Sequence, residues 1–323
     1  MQDGKAVCGF YANRSHRVIP YTGCRLQPVI FKKIVDHVMK FINDNKIPAY
    51  DETTGKGLVR HIYIRKGFHS GEIMVCLVSK TKSAVNLMEQ MIAETGLLAK
   101  FPDIKSVVVN VNPDNTNVIL GENNITVYGS DCIEDVMCGN KITLSPMSFY
   151  QVNTEQAEKL YGIAAEFADL KGDEEVFDLY CGAGTIGLSM IDKIKHLTGV
   201  EVVKQAVENA ADNAKANSIE NADFICGDAG EIADRLQKEG KHPDVIIVDP
   251  PRKGCDVLTL DAIVKMAPKK IVMISCNPAT AARDCKILCS EENGYKLERV
   301  KGVDLFPRTV HVECVVLLSK QKS

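Results

Sequence analysis

No run in the sequence approaches the ~18–20 consecutive apolar residues that a membrane-spanning helix needs. The opening stretch, MQDGKAVCGFYANRSHRV, lacks the charged-then-apolar plan of a secretory signal, so a cytoplasmic protein is expected. No C-x-x-C pair occurs among the twelve cysteines, and the usual spacing of a structural zinc site is missing with it. Several cysteines, such as Cys76 in IMVCLV and Cys314 in HVECVVLL, fall inside apolar strand-like runs, as reduced thiols of a cytosolic core do. Neither a disulfide framework nor a metal centre is expected. Internal repeats and low-complexity tracts are absent as well. An excess of positive charge is lacking: the net charge of −3 argues mildly against a nucleic-acid binder, because phosphate contacts call for Lys and Arg. That average hides a contrast, since residues 1–140 are slightly positive and 141–323 negative. Arg60, Arg65 and Lys66 with His61 and His69, then Lys80 and Lys82, make local basic spots. A solvated surface is the plainest account of each such spot, so charge alone assigns no RNA partner.

What is present is ordinary for a globular protein: 45% apolar and 25% charged residues in a chain of 323, long enough for two domains. Residues 1–140 mix candidate strands (58–67, 72–80, 106–112, 117–124 and 125–129) with helical patterns at 29–46 and 84–101, and predict a small α+β domain. Over 141–323 the pattern becomes an alternation. A helix in TEQAEKLYGIAAEFADL leads into the runs EVFDLY, HLTGVEV, ADFICGD, DVIIVDPP and KIVMISCN, each followed by a helical stretch. Continuous apolar strands alternating with helices predict right-handed βαβ units and a parallel sheet covered on both faces. The last two runs, YKLERVKGVDL and VHVECVVLLSK, have no helix between them. A short connection joins antiparallel neighbours, so the chain is expected to end in an antiparallel pair, with the final strand starting at His311. The resulting class is α/β: a Rossmann-like, mostly parallel seven-stranded sheet with an antiparallel last strand, preceded by the α+β domain.

Gly182-Ala-Gly184-Thr-Ile-Gly187 follows a predicted strand and opens a helix, and Glu201 ends the next strand. Both features fit the dinucleotide fingerprint, so a nicotinamide-dependent oxidoreductase competes at this point. Glycines let backbone approach a ligand, and a carboxylate at the second strand end accepts from ribose hydroxyls, whichever cofactor is bound. Asp178, just before the loop, leans the reading toward S-adenosylmethionine. A carboxylate there would repel a pyrophosphate, but it suits the ammonium of a methionine moiety or orders the loop around it.

Three further groups bear on the choice. Asp249-Pro-Pro-Arg252 ends the fourth strand, where an open α/β sheet binds ligands. Arg252 in place of an aromatic argues against methylation of an exocyclic amine. Cys276, in SCNP, follows the fifth strand and precedes a helix N-terminus, a setting expected to lower a thiol pKa. Glu313 lies in VECVVLL, where an unpaired buried charge is costly. With an antiparallel last strand, it comes to the same edge as Cys276. These parts fit one reaction. A thiolate adding to carbon 6 of uracil makes carbon 5 nucleophilic toward a sulfonium methyl, and a base then removes the carbon-5 proton.

FDLYCGAGTIGL, VDPPRKG, ISCNPATAARD and DLFPRTVHVE, in this order, resemble the motifs of the RumA/TrmA family of RNA (uracil-5-)-methyltransferases. SPMSFYQVN, GLVRHIYIR and GEIMVCLV extend the resemblance over nearly the whole chain. It implies a methyltransferase domain over 141–323 and an RNA-contacting central domain over 1–140. Carried over by position, Cys276 is the nucleophile and Glu313 the base. Gln151, Tyr180, Gly182, Gly184, Glu201 and Asp249 contact S-adenosylmethionine, with Asp228 near the adenine, while Phe149 and Arg252 hold the substrate. The partner implied is RNA, ribosomal ahead of transfer RNA, with a flipped or unpaired uridine as target and the enzyme a monomer. Family members usually begin with a TRAM β-barrel and three cysteines that hold an iron–sulfur centre with a fourth. This chain starts after both; Cys24 matches the fourth ligand, and one thiolate holds no cluster. A cytosine-5 enzyme would show a second catalytic cysteine in a Pro-Cys motif, which the Pro-Pro-Arg sequence here lacks. A non-catalytic RNA-binding relic is disfavoured by the intact Cys276 and Glu313.

Overall fold

The computed structural model describes residues 4–21 and 23–321. Two compact units divide the chain: Met1–Asp135 with Leu144–Met147, and Val136–Thr143 with Ser148–Ser323.

The first unit opens with a hairpin of β1 (Gly9–Tyr11) and β2 (Val18–Pro20), followed by α1 (Val29–Asp44). Its four-stranded sheet has the order β3-β4-β5-β6, from β3 (Val59–Lys66), β4 (Ile73–Ser79), β5 (Ile104–Val111) and β6 (Asn123–Gly129). Helices α2 (Ala84–Thr95) and α3 (Leu97–Lys100) cross between β4 and its parallel neighbour β5. β4 is buried throughout because both its faces are covered. Ile73, Val75 and Leu77 join the helix-side core with Val38 and Met88, while Cys76 and Val78 meet Val108 on the other face. The helical pattern at 84–101 is split at Gly96, whose left-handed φ of 63° ends α2 at little steric cost.

Two expectations need correcting in this unit. Of the strand expected over 117–124, only the end belongs to β6. Asn112 Nδ2 donates to the carbonyls of Val118 (2.8 Å) and Ile119 (3.1 Å), and Asn110 exchanges bonds with the Gly121 amide (2.7 Å) and carbonyl (2.8 Å). Side-chain amides on and just beyond β5 thus take backbone groups that a ladder would have used, and Val118 and Ile119 stay exposed. The basic spots are not all solvated surface either. The Arg60 side chain is only 1% exposed; it donates to the carbonyls of Asn112 (3.0 Å) and Asp114 (2.7 Å) and lies over the Tyr50 ring. Arg65 donates to the Ser145 carbonyl at 2.6 Å.

β7 (Ile133–Met137) and β8 (Asn140–Leu144) form a two-stranded sheet where the chain passes from one unit to the other. The second unit then runs α4 (Thr154–Ala168), β9 (Glu175–Leu179), α5 (Thr185–Leu188), a 3₁₀ turn (Ile191–Lys193), β10 (His196–Glu201), α6 (Lys204–Ala216), β11 (Ala222–Cys226) and α7 (Ala229–Lys238). It closes with β12 (Val245–Val248), α8 (Val257–Met266), β13 (Lys270–Ser275), α9 (Pro278–Leu288), β14 (Tyr295–Val303) and β15 (Glu313–Lys320). The seven strands are ordered β11-β10-β9-β12-β13-β15-β14. Every neighbouring pair is parallel except those of β15, which is antiparallel to both β13 and β14. This is the expected sheet.

The apolar runs of β12 and β13 are buried on both faces, one of them against α7, α8 and α9. β14, at the sheet edge, is exposed over most of its length and carries Lys296, Glu298, Arg299 and Lys301, charges that discourage pairing with another strand. The final strand begins at Glu313, two residues later than expected. Strand order reverses between β9 and β12, and a sheet of this kind opens a crevice at the carboxyl ends of such strands.

Candidate active site

Register brings the strand ends to one edge. Val248 pairs with Leu179, Leu179 with Val200, and Glu201 with Cys226, so β9 to β12 finish side by side. The glycine loop follows β9. Tyr180 holds a φ of 71°, uncommon for a residue with a side chain; its amide and that of Cys181 both donate to the Val200 carbonyl, at 2.9 and 3.0 Å. Gly182 has a φ of 55°, and a Cβ there would meet nothing within 4 Å, so the backbone faces open space. At Gly187 a Cβ would stand 2.7 Å from Leu197, which explains the third glycine by packing.

Asp178 is fully buried under this loop. Its Oδ2 accepts the Gly187 amide at 3.0 Å, while Oδ1 has no partner. Glu201 accepts from the amides of Gly182 (3.1 Å) and Val203 (2.9 Å). An open glycine turn and a carboxylate ending β10 suit the ribose hydroxyls of S-adenosylmethionine, while Asp178, buried beneath the turn, orders the loop through the Gly187 amide. Asp228 caps α7, accepting from Gly230 (3.0 Å) and Glu231 (3.2 Å), and the Tyr180 hydroxyl bonds Thr259 at 3.1 Å. Asn213 lies outside every sequence motif. Fully buried on α6, it donates to the Ala183 carbonyl at 3.1 Å and accepts the Thr143 amide at 3.0 Å, steadying the loop from behind. Its one sequence signal is an amide side chain on the apolar face beside Ala210 and Ala214.

Burial pushes the Asp178 carboxyl from its ordinary 3.8 up to about 7; the Gly187 amide opposes this and Glu201 adds to it. Its neutral form is therefore favoured in the fold. The stability this contributes is complete below the ordinary value and is lost as pH rises through about 7. Asp178→Asn keeps an acceptor for Gly187 without the charge. The ligand-free variant should melt on the order of several °C above the parent at pH 8, with a flatter melting profile between pH 5 and 8. Parallel melting profiles for the two proteins would contradict the assignment.

At the other side of the crevice Ser275 pairs with Cys314 across β13 and β15. Cys276 lies one residue beyond the first, and Glu313 one before the second, so the two stand at facing positions. Asn277 caps α9 through the Ala279 amide (3.2 Å), with Pro278 opening the helix. The helix N-terminus does not bring the thiol down as expected. Burial, then Glu313 and Asp249, hold Cys276 above its ordinary value, and Arg252 opposes them only in part. Glu313, buried, is also held above the usual carboxylate range by desolvation, again with Arg252 opposing. Burial, with Glu313 and Asp178 adding to it, lifts Asp249 to about 8. Arg252 is exposed and electrostatically close to both Cys276 and Glu313.

Phe149 is 74% exposed, and Gln151 is half-buried just before α4. The neighbouring Asn153 donates to the Leu305 carbonyl at 2.9 Å, tying this segment to the β14–β15 connection that leads into Glu313. A cavity of about 770 Å³ in the first unit, between the β1–β2 hairpin and the start of β3, contains none of these residues.

Known proteins are similar to this chain in sequence and fold. The sequence profile of the tRNA (Uracil-5-)-methyltransferase family matches residues 133–321. A protein described as an uncharacterized RNA methyltransferase of Clostridium tetani is 44% identical over 318 residues, 98% of this chain and 68% of that protein. A like-named protein of Bacillus cereus is 44% identical over 319 residues, 99% of this chain and 68% of its own. Among solved structures, Pyrococcus abyssi tRNA (uracil-54, C5)-methyltransferase in complex with S-adenosyl-L-homocysteine superposes with a TM-score of 0.78 at 26% identity, covering 94% of this chain and 70% of that one. The chain belongs to the tRNA (uracil-5-)-methyltransferase family and is an S-adenosylmethionine-dependent RNA methyltransferase.

Proposed function

We propose that the protein methylates carbon 5 of an unpaired uridine in RNA, with Cys276 as covalent nucleophile and Glu313 as base. The observation that supports this reading is the β13–β15 register, in which Ser275 pairs with Cys314, so that positions 276 and 313 face each other. The Cys276 thiolate bonds to carbon 6 of uracil, and the carbon 5–carbon 6 pair moves into an enolate. Carbon 5 then takes the methyl group. Glu313 removes the carbon-5 proton, the carbon 6–sulfur bond breaks, and the thiolate is restored. Bound S-adenosylmethionine supplies an electrophilic methyl with a neutral thioether as leaving group. The exposed Arg252 guanidinium favours the charged forms of Cys276 and Glu313.

Gln151, Tyr180, Gly182, Gly184, Glu201 and Asp228 line the cofactor in this reading; Asp249 faces cofactor or base, and Phe149 with Arg252 holds the substrate. The first unit contacts RNA. One feature suited to this is the β3–β4 turn, where exposed Phe68 and His69 rest edge-to-face. The turn is stiffened because the amides of Phe68 (2.8 Å), His69 (2.9 Å) and Ser70 (3.1 Å) all donate to the Asp135 carboxylate.

RNA carrying 5-fluorouridine tests the proposal. Fluorine at carbon 5 leaves no proton to abstract, so the methylated Cys276 adduct should persist on a denaturing gel and in intact mass. Ribosomal and transfer RNA run side by side assign the substrate class, with ribosomal RNA our first candidate. An absence of adduct with both would sink the covalent reading.

A further inference from the structure

We propose that Asp284, with Thr280 on the same face of α9, is a positioning residue that holds the β12–α8 loop so that the Arg252 guanidinium stays beside Cys276 and Glu313. The inference rests on the reading of Arg252 given above.

Asp284 is 0% exposed. A buried carboxylate is costly unless its oxygens are taken up, and here both are. Oδ2 accepts the Cys255 amide at 2.9 Å, and Oδ1 accepts Arg283 Nε (2.8 Å) and Nη2 (2.6 Å). The same Arg283 Nη2 donates to the Cys255 carbonyl at 3.0 Å, so the pair grips both backbone groups of that residue. One turn earlier on α9 Thr280 Oγ1 (3.3 Å), and at the helix cap Asn277 Nδ2 (3.0 Å), donate to the Arg252 carbonyl. Positions 277, 280 and 284 follow helical spacing and share one face, laid along the loop. Contact is close enough to require glycine. Gly254 holds a φ of 79°, and a Cβ there would fall 2.5 Å from Arg283 Nη2 and 2.6 Å from Asp284 Oδ2.

The loop is thus pinned at the Arg252 carbonyl and again at Cys255. Among the described residues no hydrogen bond ends on the Arg252 guanidinium, so the described bonds hold this residue through its backbone alone. Loosening the grip lets the guanidinium drift toward solvent. Cys276 would then face the carboxyls of Glu313 from β15 and Asp249 from the end of β12 with its opposing cation lost. Asp284 itself is not among the leading charges acting on the thiol. Were it close enough to act directly, removing it would favour the thiolate, the opposite sign.

The test is the pH profile of Cys276 alkylation by iodoacetamide on the full chain, read by peptide mass spectrometry. Parent, Arg252→Met, Asp284→Asn and Thr280→Val are compared, with circular dichroism and S-adenosylhomocysteine binding as controls on folding. Arg252→Met is expected to slow Cys276 at pH 8 about three- to tenfold and to move its profile to higher pH. Asp284→Asn should do the same, and Thr280→Val should act in the same direction by a smaller factor, both with unchanged binding of S-adenosylhomocysteine. If Arg252→Met shifts the profile while the two α9 variants match the parent, the positioning role is refuted and the Arg252 reading survives. Parent-like profiles in all three overturn both. Faster alkylation in Asp284→Asn marks a direct charge effect and also overturns the proposal. Should Asp284→Asn fail to fold, Thr280→Val alone decides by the same comparison.

Discussion

Replacing Cys276 with alanine is expected to lower methyl transfer by on the order of 10⁴-fold or more and to abolish the adduct with 5-fluorouridine RNA. Carbon 5 of uracil has too little nucleophilic character to take a methyl group without prior addition at carbon 6, so a well-oriented donor alone does little. No neighbouring thiol can stand in. Cys314 is buried and pushed up to about 11 by desolvation, and its Sγ donates to the Ser275 carbonyl at 3.5 Å. Cys255 is buried and pushed up to about 12. Cys276 itself is only partly buried, beyond the end of β13, so its truncation should leave the melting temperature and S-adenosylhomocysteine affinity near those of the parent. The measurement is methyl incorporation into RNA together with gel-shift of the trapped adduct. Retention of more than about one per cent of the parent rate, set against the expected 10⁴-fold loss, would rule out the covalent route.

Glu313→Gln is expected to fail later in the cycle. Addition and methyl transfer need no base at carbon 5, so the variant should load RNA onto Cys276 and then stall. Turnover drops by about 10²–10⁴-fold, while a methylated protein–RNA adduct accumulates on ordinary uridine. With the parent, such an adduct persists only on the fluorinated base. The two phenotypes are opposite in intact mass: no adduct for Cys276→Ala, excess adduct for Glu313→Gln. The carboxyl also shapes the pH dependence. Burial holds Glu313 above its ordinary 4.5, with Arg252 opposing, so parent turnover should climb as pH rises through the shifted value, and this limb should vanish in the variant. Stability has the matching sign. The neutral form is favoured in the fold, and its contribution is complete below 4.5 and lost as pH rises through the shifted value. The amide is therefore expected to melt no lower than the parent at neutral pH. Retained turnover without adduct would move the base elsewhere, with Asp249, lifted to about 8, the adjacent carboxyl.

Much of the second unit could be read without coordinates because the signals are local. Apolar runs such as VIIV and KIVMIS can belong only where both faces are covered, and helical stretches between them force a parallel sheet. The missing helix before VHVECVVLLSK forced an antiparallel last strand. Motif glycines and the Asp178 carboxylate were legible for the same reason, being set by what a turn needs from its own residues. The first unit was less transparent. Val118 and Ile119 carry the apolar signature of a strand, yet Asn112, close in space, takes their carbonyls. Arg60 has the sequence context of a surface charge, yet its side chain is buried on Tyr50.

The amino-acid order by itself determined the chemical inventory, the α/β class with its antiparallel ending, and the family, because periodicity, turn residues and motif spacing act over a few residues. Tertiary structure alone decided the rest. Ser275 meets Cys314 only through the register of strands separated by α9 and β14. Asn213 steadies the glycine loop, and Asp284 grips the Arg252 loop, from helices that neighbour them only in space. The thiol lies above its ordinary value rather than below it because burial and two carboxyls from other strands outweigh the effects of its own short stretch of chain. Desolvation and through-space charge depend on what folds against a group, and local sequence does not encode that.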